Sequence, residues 1–232
     1  MAITATALTS GESAADDTAY VTASITPTAN RLVLVAVASR VSTSPPESPT
    51  LSGNGLTWVE VGTITGTGAS TRRITLFRSM GAAPSAGAIT IDFAGNTQIG
   101  AAWSVVEFAG IDTSGANGAG AIVQTATNNV GAATSLTVTL AAFSSADNGA
   151  YGAFFAGANE VQSAGAGFTE LDDVGTTGEP LRCHTEWRVD NDTTVDASSA
   201  SSTGRGGVAV EIKAAGVGGA IASRRLLVGV GL

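Results

Sequence analysis

Apolar and polar side chains alternate with a period of two along most of the chain. Ile89, Ile91 and Phe93 are interleaved with Thr90 and Asp92, and Leu136, Val138 and Leu140 with Thr137 and Thr139. That spacing predicts strands with one face inward, because successive side chains of a strand point to opposite sides. In Val208-Ala209-Val210-Glu211-Ile212-Lys213 the inward set is Val208, Val210 and Ile212. By the same alternation Cys183, Trp187 and Val189 point inward, leaving His184 on the surface or rim and Glu186 outward. Leu32 to Ala38 is apolar at every position, which suits a central strand covered on both faces. Turn signals separate the runs: Pro45-Pro46-Glu47-Ser48-Pro49, Ser52-Gly53-Asn54-Gly55, Gly81-Ala82-Ala83-Pro84 and Asp147-Asn148-Gly149. No segment sustains a 3.6-residue pattern between caps, so an all-β sandwich or jelly roll with very little helix is expected.

The same succession of segments occurs twice. Gly55-Leu56-Thr57 leads to Arg72-Arg73-Ile74-Thr75-Leu76-Phe77-Arg78, and Gly167-Phe168-Thr169 leads to Arg182-Cys183-His184-Thr185-Glu186-Trp187-Arg188. Ile89 to Asp92 answers to Thr193 to Asp196, Val105 to Phe108 to Ala209 to Ile212, and Leu32 to Arg40 to a segment near Ala150 to Gly157. An ordered series of this kind is the signature of a repeated unit. It predicts a body spanning 1–215 with related halves at about 17–112 and 132–215, favouring one sandwich of about twelve strands over two small ones. Arg72–Arg78 should then overlie Arg182–Arg188, with Phe77 and Trp187 as equivalent core aromatics. The glycine-rich stretch Gly115 to Gly120 lacks the Lys-Ser/Thr of a phosphate loop and reads as a flexible connection.

Composition narrows the function classes. The 232 residues include 11 basic and 19 acidic side chains, a net charge of −8, and Lys213 is the only lysine. No basic stripe for a phosphate backbone can form, so no nucleic-acid partner is expected. The longest apolar run is far short of the roughly 20 residues of a spanning helix, so no membrane partner is expected either. The start, Met1-Ala-Ile-Thr-Ala-Thr, has neither the charged region nor the apolar region of an export signal. Cys183 is the single cysteine, so no internal disulfide can form.

Residues 216–232 differ in kind. Gly216-Val217-Gly218-Gly219 reads as a hinge, followed by Arg224, Arg225, Leu226, Leu227, Val228, Val230 and Leu232. The body to Lys213 carries 9 basic and 19 acidic side chains, −10, so the two tail arginines suit an acidic neighbour. An apolar end on a glycine hinge either packs back on its own domain or forms an assembly arm docking on another subunit, and the arm is the sharper expectation.

Candidate chemistry is sparse. His184 is the only histidine, without a second Cys or His at metal-ligand spacing and without a Gly-x-Ser-x-Gly elbow elsewhere. Glu107 and Glu186 could be imagined as a glycosidase pair, but Glu107 answers to Glu211 in the repeat, which points to a structural place. Asp16-Asp17, Asp172-Asp173 and Asp190-Asn191-Asp192 read as solvated turns rather than calcium loops. Trp58 and Trp103 are the residues that could stack on a sugar, with core packing as the competing role. No catalytic, cofactor-binding or metal site is expected, and no cofactor.

The segments Asn30-Arg31-Leu32-Val33-Leu34-Val35, Gly55-Leu56-Thr57-Trp58, Trp103 to Asp112 and Ala209 to Lys213 resemble the jelly-roll domains of tailed-bacteriophage virion proteins and of some bacterial surface proteins, over about residues 20–215. The closing Arg224 to Leu232 is similar to tails of phage structural proteins. The resemblance implies a non-enzymatic virion subunit, a capsid decoration protein or a tail or fibre accessory, assembled in the host cytoplasm. Its partners would be other virion proteins and copies of itself. The alternative is a carbohydrate-binding module or adhesin domain meeting a host-surface glycan.

Overall fold

The computed structural model describes residues 2–43, 45–67 and 70–216, and these form fourteen strands and one 3-10 turn. The first eight are β1 (Thr4–Ser13), β2 (Ala19–Val21), β3 (Leu32–Arg40), β4 (Thr50–Gly53), β5 (Val59–Thr65), β6 (Arg72–Ser79), β7 (Ile89–Asp92) and β8 (Gly100–Ala109). They make a large sheet in the order β1-β8-β3-β6-β5 and a small one, β2-β7-β4. First with eighth, eighth with third, third with sixth and second with seventh is jelly-roll pairing, with β5 added at the edge of the large sheet.

After the 3-10 turn (Ala116–Ala121) come β9 (Ile122–Thr139), β10 (Gly149–Ala156), β11 (Ser163–Ala164), β12 (Thr169–Gly175), β13 (Arg182–Val189) and β14 (Thr194–Ile212). Here β12-β13-β10-β14-β9 repeats the order of the first large sheet, read from its β5 edge. The far ends of the two long strands, with Leu136 opposite Ala197 and Val138 opposite Val195, join β11 in the place that β2-β7-β4 holds in the first half. One continuous sheet thus serves as both layers, bending where the β9–β14 pairing turns irregular between Ser198 and Arg205. Each half begins earlier than the repeat suggested, at β1 and β9. The connection between them is not loose: Arg78 donates to the carbonyl of Asn117 at 2.6 Å and Gly118 is buried.

The two large sheets pack face to face. β1 lies on β12 and β5 on β9, β8 crosses β13 and β6 crosses β14, with β3 on β10 at the centre. Because β1 corresponds to β9 and β5 to β12, every contact has its reciprocal, as in an isologous dimer. Three apolar layers result. The central one joins Leu32, Leu34, Ile74, Leu76 and Phe108 to Tyr151, Phe155, Cys183 and Val210. Val33, Val35, Phe77, Trp103 and Ile91 fill the first sandwich, and Leu136, Val138, Phe154 and Val195 the second. Both faces of both large sheets are therefore covered.

The outward placement expected for His184 and Glu186 on strand β13 changes for that reason, and the inward placement expected for Val189 changes because it ends the strand. Cys183 is inside, but His184 and Glu186 are each 0% exposed, while Val189 at the strand end is 41% exposed. The alternation is as expected; the face opposite Cys183 looks into the second sandwich, not into water. The repeat register also slips by one residue. Leu34 pairs with Arg78, and its counterpart Tyr151 pairs with Trp187. Arg73, rather than Arg72, consequently takes the place of Arg182. Phe77 faces its own small sheet, whereas Trp187 packs on the central layer, so the two aromatics are not equivalent. A slip of one exchanges faces.

Burial of Cys183 has a measurable consequence. Its thiol, pushed up in pKa by burial, should react with a thiol reagent about a thousandfold or more slowly in the native protein than in denaturant, since labelling requires global opening. Rapid native labelling would mean that the central layer is not closed.

Candidate functional site

Of the residues singled out for sugar binding, Trp103 lies inside and Trp58 is partly buried. Trp103 is 5% exposed and packs in the first sandwich, its ring so close to Gly11 that a Cβ there would sit 2.8 Å from it. Trp58 packs against the same layer with its indole nitrogen buried. Trp103 therefore offers no open ring face for stacking.

The carboxylates weighed for catalysis are each bound to backbone or side-chain donors. Glu107 accepts from the Thr28 amide at 2.9 Å and its hydroxyl at 3.0 Å. Glu211, its counterpart, accepts from Gln124 at 2.6 Å, Asn148 at 2.5 Å and the Ser144 amide at 3.1 Å. Glu186 lies in the second sandwich, with both large sheets between it and Glu107, so the two cannot flank one bond. Asp172 and Asp173 are not in a turn. They sit on β12, where Asp172 accepts from the Ser104 hydroxyl of the first half at 2.6 Å and is held above the usual carboxylate range by burial. Asp190 and Asp192 do occupy a turn and pair with Arg188.

One polar cluster remains, and sequence reasoning missed it. It lies on the inner face of β12 and β13, beneath the segment Gln162–Gly165 that carries β11. His184 is fully buried there. Its Nδ1 has Asp173 Oδ1 at 3.7 Å and Glu170 Oε2 at 3.8 Å, beyond hydrogen-bond reach, and is without a partner; Nε2 faces Glu186 Oε2 at 3.5 Å. Glu186 Oε2 accepts from the Gly165 amide at 2.9 Å, while Oε1 is buried and unpaired. Asp173 accepts from Arg182 Nε at 2.6 Å and from the Gln162 amide at 2.9 Å. Glu170 alone reaches solvent, with its side chain 47% exposed.

The electrostatics are those of a buried excess of negative charge. Burial alone would lower the His184 pKa, but Asp173 and Glu186 outweigh it and raise it to about 9. Burial holds Glu186 above its ordinary value despite His184 and the Gly165 amide. For Asp173 burial acts upward, yet His184, Arg182 and the Gln162 amide together bring it below.

A β-bulge brings these residues together. Glu170 pairs with Glu186 and Asp172 with Thr185, leaving Leu171 as an extra residue. Residues three apart on a regular strand face opposite sides; the bulge turns Glu170 and Asp173 to the same one. The sequence carries no mark of where the bulge falls, so the cluster is invisible to strict alternation.

The first half holds the same framework with different side chains. Its bulge lies between Glu60 and Gly62, and Glu60, Thr63, Thr75, Arg73 and Phe77 occupy the places of Glu170, Asp173, His184, Arg182 and Glu186. There the gap is closed by a hydrogen bond between the Thr63 and Thr75 hydroxyls at 2.9 Å, with Arg73 donating to Thr63 at 2.9 Å.

A second buried charge lies nearby. Arg205, 1% exposed, donates to the Ala133 carbonyl at 3.0 Å, to Gln162 Oε1 at 2.9 Å and to the Ser199 hydroxyl, bracing the bend of β14. Its counterpart in the first half is Ala101. No helix among the described residues is long and apolar enough to cross a membrane. The assembly-arm residues Arg224, Arg225, Leu226, Leu227, Val228, Val230 and Leu232 lie outside the described residues. Compared with protein-family models, with curated proteins and with solved structures, the chain shows no match.

Proposed function

We propose that the protein is a non-catalytic structural subunit of a larger assembly, a phage virion by its sequence resemblance, in which the double jelly roll is a rigid body and residues 216–232 attach it to a neighbour. The observation that carries this reading is how the body ends. The chain is pinned up to Ala215: Lys213 pairs with Asp112 at 2.7 Å, Ala214 N donates to Asn148 Oδ1 at 3.0 Å, and Ala215 N donates to the Gly110 carbonyl at 2.8 Å. The lysine holds Asp112 well down, to about 2, with Ser114 adding to the effect. Cavities of about 410 and 330 Å³ adjoin Ala215, one lined by Ser144, Asn148 and Lys213 and the other by Asn30, Ile111 and Ala215. The engagement of Glu107, Glu186 and Glu211 in the fold supports a non-catalytic role, and the burial of Trp103 weighs against the glycan-binding alternative.

A chain truncated after Ala215 should fold with unchanged melting temperature and remain monomeric. The full chain should self-associate, or join its particle, in a salt-sensitive way, because Arg224 and Arg225 would face an acidic body while the aliphatic contacts ignore salt. Sedimentation of both chains at low and high salt decides it. Equal association of the two, or loss of folding on truncation, would overturn the arm.

A further inference from the structure

We propose that Glu170, Asp173 and His184 form a binding site for a divalent transition-metal ion of the zinc class, clipping the edge strand β12 to β13. The three ligand atoms, Glu170 Oε2, Asp173 Oδ1 and His184 Nδ1, all lie within 4.8 Å of one another. Zinc bonds of about 2.0–2.2 Å require ligand atoms about 3.4 Å apart in a tetrahedron, so the 3.7 and 3.8 Å separations at Nδ1 close with small side-chain movements. These separations are too long for the groups to satisfy one another, and Nδ1 is a buried nitrogen with no partner. An orphaned buried polar atom requires an explanation, and a cation between the three groups supplies one.

The surroundings fit such an ion. Glu186 stands behind the imidazole at Nε2, the place of the carboxylate that orients a metal-bound histidine. Arg182 and the Gln162 amide fix Asp173. Glu170, Asp173 and Glu186 outnumber the single guanidinium of Arg182 by two negative charges when His184 is neutral, the charge that a divalent ion cancels. A nitrogen donor with two carboxylates favours zinc or cobalt over calcium, which takes six to eight oxygens. Glu170, half exposed at the sheet edge, leaves an approach for the ion and a water for the fourth position.

The first sandwich is the internal control. It has the same bulge and the same arginine, but Thr63 and Thr75 hydrogen-bond directly where Asp173 and His184 leave a gap. Of the three ligand places the first half keeps only a carboxylate, Glu60; the second half alone carries all three.

The test uses the full chain after chelator treatment, titrated with zinc chloride by calorimetry and with cobalt(II) chloride by visible absorption. One equivalent should bind, cobalt should give a tetrahedral spectrum, and the melting temperature should rise with zinc and not with calcium. Glu170→Gln, at a half-exposed position, should weaken zinc binding at least about tenfold, whereas Glu60→Gln in the first half should leave it unchanged. His184 is the only histidine, so its imidazole signals in the proton NMR spectrum report the site directly, whether or not His184→Gln folds. Absence of zinc uptake at about millimolar concentration, uptake unaffected by Glu170→Gln, or uptake that leaves the imidazole signals unmoved would each overturn the proposal.

Discussion

Replacing Phe108 by alanine should destabilise the whole chain by about 3–5 kcal/mol, the range for removing a buried aromatic ring. Phe108 is fully buried at the centre of the layer between the two large sheets. Its ring meets Tyr151 edge-on at 5.8 Å and Trp187 at 6.0 Å, both in the other half. No rearrangement within one half can fill the space, because the facing sheet is held by its own ladder of hydrogen bonds. For a chain of this size the loss corresponds to a fall in melting temperature of about 10 °C. Chemical denaturation of Phe108→Ala, Trp187→Ala and the double variant is the measurement. A coupling of about 0.5–1.5 kcal/mol between the two rings is expected beyond their separate losses. Additive losses would mean that the halves do not meet there.

Alkali should unfold the protein steeply above about pH 10. Both tyrosines and the one cysteine are buried. Burial pushes Tyr20 up to about 12, and Tyr151 and Cys183 are pushed up by burial as well. Each group is neutral when protonated, and its folded pKa lies above its unfolded value. The folded state therefore keeps its full advantage below the unfolded pKa and loses it as pH rises toward the folded one. Over two pH units Tyr20 alone costs about 3 kcal/mol. Tyrosinate absorbance and circular dichroism should change together, in one transition. The Tyr20 hydroxyl donates to the Ala15 carbonyl at 2.8 Å and to that of Gln98 at 3.1 Å, so Tyr20→Phe should be less stable near pH 7 by about 1 kcal/mol yet gain relative to wild type above pH 10. Tyrosinate appearing near pH 10 with the circular dichroism intact would show that the phenols are open to water.

The polar interior of the second sandwich has no equivalent in the first, although the strand order is shared. Ala101, Thr75 and Phe77 of one half stand where Arg205, His184 and Glu186 stand in the other. Where the first sandwich has its full apolar set, the second trades part of it for charges that hold a bent sheet and an edge strand. Buried charges of this kind contribute little to stability on balance, and removing one partner is costly. Their retention in one half alone is the asymmetry on which the metal proposal stands.

Alternation along the chain determined the strands themselves, since a half-buried strand demands period two and Leu32 to Ala38 demands cover on both faces. The repeated order of segments likewise announced the repeated order of strands, because each segment carries its own turn signals. What alternation cannot state is what covers the second face. His184 and Glu186 look like surface residues until the segment Gln162–Gly165 and the far ends of β9 and β14 close over that face, and that cover depends on pairings such as Leu136 with Ala197 and Val138 with Val195, between strands far apart in the chain. Nor could letter matching locate the register: Arg-x-x-Thr aligns Arg72 with Arg182, whereas the ladder aligns Arg73, and one residue exchanges the faces of Phe77 and Trp187. The site at Glu170, Asp173 and His184 depends on both effects at once. A bulge whose position only the pairing fixes turns Glu170 and Asp173 together, and only the closed second sandwich buries the imidazole nitrogen beside them.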